Sequence, residues 1–125
     1  MRMPFHRRFR AAPWAMGLAL LLAAAPAAIA HAILVEASPA AGSTVSGPDL
    51  EVRLRFNSRI DGARSHVTLV RPDKQERTLT LGQQPGPALL TARVAGLAPG
   101  AYRLRWQVLA ADGHITRGEV PFRVK

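Results

Sequence analysis

From residue 31 onward, apolar and polar positions alternate in short runs that Pro and Gly interrupt. The clearest run is Leu50–Phe56, where Leu50, Val52, Leu54 and Phe56 share one parity and Glu51, Arg53 and Arg55 the other. Residues 102–108 repeat the pattern, with Tyr102, Leu104, Trp106 and Val108 inward and Arg103, Arg105 and Gln107 outward. A last run puts Val120, Phe122 and Val124 on one side. A period of two describes a sheet with one face in a core and one in water. Weaker strands are expected over 31–36, 66–71, 77–81 and 89–94, with a turn at Arg71-Pro72-Asp73-Lys74 that suits the fixed φ of proline. No window after residue 30 has a helical period. Seven short strands in one domain predict an all-β, immunoglobulin-like Greek-key sandwich, a small open barrel being the alternative.

The first 30 residues follow a different rule. Arg2, Arg7, Arg8 and Arg10 form a basic stretch without an acid, 15–25 is an apolar run, and Ala28-Ile29-Ala30 has the small-x-small form that signal peptidase reads. A membrane-spanning helix needs about 20 apolar residues, and Pro26 cuts this run short of that. The expectation is a cleaved signal peptide over 1–30 and a single domain over 31–125; an uncleaved anchor is the rival reading. Arg7-Arg8-Phe9 has only part of a twin-arginine pattern.

Composition narrows the chemistry. Of the 17 Lys and Arg, 13 lie after residue 30, as do all 8 acids, so the expected processed chain carries +5. Such a charge favours solubility and a loose attraction to acidic surfaces, and export argues against nucleic acid as a partner. The chain has no cysteine, which removes thiolate metal sites and thiol nucleophiles. Its three methionines, Met1, Met3 and Met16, all fall in the leader. No Ser-His-Asp arrangement, distinct carboxylate pair or phosphate loop points to an enzyme.

Three histidines follow residue 30: His31, His66 and His114. Cleavage after Ala30 would make His31 the first residue, offering a free α-amine and imidazole Nδ1 that close one chelate ring. A free amine titrates near 7.7–8.0, so a strongly bound metal displaces its proton at neutral pH. Nitrogen donors in a plane suit Cu(II), which heads the divalent affinity order. Asp112-Gly113-His114 follows the strand that carries Trp106. In an extended segment, residues two apart point the same way, and Gly113 lets the chain bend, so Asp112 and His114 can aim an oxygen and a nitrogen at one point. Alone, Asp-Gly-His is a weak signal and reads more readily as a solvated hairpin tip. His66 has no neighbouring donor and reads as a surface or half-buried structural histidine, and Glu36 as a solvated acid.

The chain after residue 30 resembles the CopC copper-resistance proteins. The resemblance is carried by His31-Ala32, Ser38-Pro39-Ala40-x-Gly42, Leu54-x-Phe56, Leu97-x-Pro99-Gly100-x-Tyr102-x-Leu104-x-Trp106, Asp112-Gly113-His114-x-x-x-Gly118 and Phe122-x-Val124. It implies a periplasmic β-sandwich that holds one Cu(II) ion through the amine and imidazole of His31, with Asp112 and His114. It also implies a CopD-like inner-membrane copper transporter as partner; a monomer is expected. The chain departs from the family pattern in two places. Without methionine after residue 30 it lacks the ligands of a Met-rich Cu(I) site. Where many members have Phe-Ser-Glu, it reads Phe56-Asn57-Ser58, which removes a candidate orienting acid unless Asn57 replaces it.

Two other functions are compatible with parts of this pattern. Polysaccharide monooxygenases also brace copper with an N-terminal histidine, but they need a flat aromatic face and an open coordination position. A metal-free immunoglobulin-like interaction module would not depend on His31 or His114 at all. Arg53, Arg55, Arg103 and Arg105 are expected to be solvated outward residues of the sheets, and Tyr102 and Trp106 core aromatics.

Overall fold

A computed structural model describes residues 31–125; the leader reading of 1–30 lies outside the described residues. The described chain forms eight strands: β1 (Leu34–Ser38), β2 (Ser43–Val45), β3 (Leu50–Phe56), β4 (Ile60–Val70), β5 (Glu76–Thr78), β6 (Leu89–Val94), β7 (Gly100–Ala110) and β8 (Ile115–Val124). They make two sheets, a three-stranded one in the order β1-β3-β6 and a five-stranded one in the order β2-β8-β7-β4-β5. This is the expected sandwich rather than a barrel.

The alternation read from the sequence sets the core. Val52, Leu54 and Phe56 of β3 are buried, and across the sandwich so are Tyr102, Leu104, Trp106 and Val108 of β7 and Val120, Phe122 and Val124 of β8. Their polar neighbours point outward into cross-strand ion pairs: Arg55 with Glu36 at 2.8 Å, Arg105 with Glu76 at 2.7 Å, Arg103 with Glu119 at 3.3 Å. The inner face is shaped by close fits. Trp106 meets Phe56 edge-to-face with centroids 5.2 Å apart, and its indole lies over Gly118, where a Cβ would come within 2.4 Å of Cζ2. The Tyr102 hydroxyl donates to the Ala98 carbonyl four residues upstream at 2.6 Å, closing a corner at the start of β7.

Several element boundaries differ from the expected ones. β2 was not foreseen: it has three residues without a clean apolar face and pairs in parallel with β8. β4 starts at Ile60 rather than at 66, and its register against β7 shifts between Asp61 and His66, so the irregular part has no regular alternation to read. The buried Ser65 hydroxyl accepts from the Leu109 N–H at 3.2 Å across this irregular part. The run at 77–81 contributes only β5 to the larger sheet; Leu81 instead bridges Ala92 of the other sheet. The expected turn at Arg71–Lys74 is present, with the Lys74 N–H donating to the Arg71 carbonyl at 2.9 Å.

Candidate metal centre

β7 and β8 form the longest antiparallel pair, from Gly100 opposite Val124 to Leu109 opposite Ile115. The turn joining them carries Asp112, Gly113 and His114. Of the two conformations the sequence offers for this segment, the extended one is not adopted. The segment is the hairpin tip, and Gly113 sits at φ 86°, in the left-handed region that glycine enters without steric cost. Asp112 and His114 converge because the turn folds back. The Gly113 N–H donates to the Ala110 carbonyl at 2.9 Å, and the Ala110 N–H to the His114 carbonyl at 2.8 Å. Asp112 Oδ1 accepts from the His114 N–H at 3.0 Å, while Oδ2 lies 3.0 Å from His114 Nδ1. The backbone hydrogen bond from His114 is the main reason that the Asp112 carboxyl titrates below its ordinary value. The carboxylate is therefore charged at neutral pH.

The start of the described chain comes to the same place by a different route. Ala32 is buried in the core, and its carbonyl accepts from the Thr116 hydroxyl of β8 at 2.9 Å. One residue on, the Ile33 N–H donates to Asn57 Oδ1 at 2.8 Å and the Ile33 carbonyl accepts from the Asn57 N–H at 2.9 Å. These contacts dock 31–33 between the end of β3 and the start of β8. The His31 and His114 rings then stand edge to face with centroids 5.0 Å apart. One ligand atom each from His31, Asp112 and His114 lies within 4.8 Å of the others, and all three residues are exposed.

That donor set fits a tetragonal divalent ion. Bonds of about 2.0–2.1 Å place opposite donors roughly 4 Å apart, a spacing compatible with three ligand atoms within 4.8 Å of one another. The set has imidazole nitrogens and one ionised carboxylate and no sulfur, which suits Cu(II) over Cu(I). The geometry brings together all three residues singled out from the sequence. His66 is apart, exposed on the outer face of β4 opposite Gln107, and Glu36 is paired with Arg55. Two supporting residues have functions that the sequence did not specify. Asn57 reaches the backbone of Ile33 rather than a metal-site side chain, and Thr116 could be identified only once β8 had been placed beside residue 32.

Comparisons with known proteins bear on the family of the chain. The CopC domain family matches residues 34–125. Protein YobA of Escherichia coli K12 is 29% identical over 89 residues, covering 68% of this chain and 71% of its own length. The crystal structure of CopC from Methylosinus trichosporium OB3b superposes with a TM-score of 0.71 at 32% identity, covering 76% of this chain and 94% of that one. PcoC, a methionine-rich copper resistance protein from Escherichia coli, gives 0.63 at 25% identity, covering 77% and 100%. On its sandwich topology and on the family match that spans β1 through β8, the chain belongs to the CopC-domain family.

Proposed function

We propose that this protein is a periplasmic copper carrier that binds one Cu(II) ion through His31, Asp112 and His114 and sequesters it or passes it on. In this reading residues 1–30 direct export and are removed, and His31 adds its freed α-amine to its imidazole. When bound, copper is cargo held by the chain; the residues present supply nitrogen and carboxylate donors and no turnover chemistry. The single observation that carries the proposal is the convergence of three donors, drawn from the two ends of the domain, within 4.8 Å. Membership of a family that contains a copper resistance protein supports it, and the +5 charge and lack of cysteine and later methionine agree with an exported Cu(II) site. A CopD-like inner-membrane transporter is the proposed recipient, and a monomer the proposed working form.

An oxidative copper enzyme is less well supported. Tyr102 and Trp106 are 4% and 7% exposed, so neither can form an aromatic platform for a polymer. The test begins with the intact mass of the exported protein, then titrates Cu(II) into that sample by electron paramagnetic resonance. His31→Ala should weaken binding by more than the roughly 10–100-fold that loss of an outer-shell partner costs. One extra residue ahead of His31 should weaken it comparably, because the amine becomes an amide. Unchanged titrations for both proteins would refute the proposal.

A further inference from the structure

At the far end of β7 and β8 from the metal-site turn lies an open groove of about 380 Å³. Its floor on the outer face of the five-stranded sheet is the exposed Ala101 of β7 and Pro121 of β8, with the buried Val70 of β4 separated from Pro121 by Arg103. Its charged lining is wholly basic: Arg71, Lys74, Arg103 and Arg123. Among the described residues, Arg71, Lys74 and Arg123 enter no ion pair, whereas the acids closest along the strands, Glu76 and Glu119, are held by Arg105 and Arg103. Asp73, in the same turn as Arg71 and Lys74, turns its carboxylate to the Gln75 N–H at 3.0 Å.

We propose that this groove docks an acidic peptide segment of a partner protein. The segment would set carboxylates against Arg71, Lys74 and Arg123 and lay an apolar side chain on the floor. The guanidinium groups offer charge-assisted, two-pronged hydrogen bonds to carboxylates. The chemistry of the groove favours a peptide over other polyanions. Base stacking would need exposed rings, but the two aromatics that line it, Tyr102 and Phe122, are 4% and 2% exposed. A lipid surface would need large apolar side chains projecting beside the cations. The exposed large hydrophobics among the described residues, Ile33, Val35 and Ile115, lie on the N-terminal segment and β1 and beside His114 instead. Arg103 and Asp112 are nine residues apart along the hairpin, roughly 30 Å at the rise of a strand, so a docked partner leaves the metal site open.

The test uses the exported, processed protein and a short fluorescein-labelled peptide of Asp, Glu and Leu, with a counterpart in which Lys replaces every acid. Anisotropy should show the acidic peptide bound and the basic one not, with affinity falling as salt rises. Arg71→Glu combined with Arg123→Glu should weaken binding at least about tenfold, since two favourable contacts become repulsive. Arg71→Lys with Arg123→Lys should weaken it less than the charge reversal, because the charge stays while the two-pronged geometry is lost. Arg117→Glu, on the same sheet face but outside the groove, should leave it unchanged. Thermal unfolding and Cu(II) titration verify that each variant is folded. Equal binding of both peptides, no effect of the charge reversal, or an equal loss from Arg117→Glu would overturn the proposal. So would capture by phosphatidylglycerol vesicles without capture of the acidic peptide.

Discussion

Asn57 bears on the proposed metal site without being placed to ligate. It secures Ile33 by one hydrogen bond through its side chain and another through its backbone, and Ile33 is two residues from His31. Asn57→Ala removes the acceptor for the Ile33 N–H, a contact worth about 0.5–1.5 kcal/mol. Urea unfolding should show a loss of that size, with Cu(II) affinity falling severalfold; Asn57→Asp, which keeps the acceptor, should restore much of both. Glu36 permits a separate test. The hydrogen bond from Arg55 holds its carboxyl below the ordinary 4.5, so the folded state binds the proton less readily than the unfolded chain. The stabilisation from this pair is complete above 4.5 and is lost as pH falls through the lower folded value. Its side chain is 69% exposed, so the effect on stability is small and is best followed by NMR titration. Arg55→Gln should move the Glu36 midpoint upward. His31, Asp112 and His114 were candidates in the sequence through the expected processing point and the resemblance to CopC proteins, since His66 is as good a donor by side-chain chemistry alone. Thr116 was not, since its function is a single hydrogen bond to a carbonyl 84 residues earlier.

At the scale of elements, period-two alternation identified β3, β7 and the end of β8, because each has one face in the core and one in water. It failed for β2 and for the first half of β4, where edge position or shifted register breaks the alternation. The β7–β8 hairpin is the element on which the site most depends, and it is sensitive to side-chain size at Gly118. Gly118→Ala would put a methyl group 2.4 Å from the Trp106 ring. The ring or the strand must move, so a destabilisation of about 1–3 kcal/mol is expected in chemical unfolding. Trp106, the one tryptophan after residue 30, should report the displacement in its emission spectrum.

At the scale of the whole molecule, the proposed metal site connects His31 to the turn before the last strand. An ion held there binds the folded chain and finds no such convergence in the unfolded one, so Cu(II) should raise stability by linkage. At about 100 times Kd the gain is roughly 2.7 kcal/mol. Thermal unfolding with and without Cu(II) measures it, and His31→Ala should remove the increment while leaving the metal-free transition in place. The amino-acid order by itself determined the fold class, the strands with one buried face and the residue types able to hold copper, because local alternation and side-chain chemistry are properties of neighbours in sequence. Only the tertiary structure decided that His31 meets His114, that Asp112 turns back onto its own hairpin tip, and that Arg71, Lys74 and Arg123 surround one groove. Those juxtapositions depend on strand register and on which strands share a sheet, and both are settled by packing between residues distant in the chain.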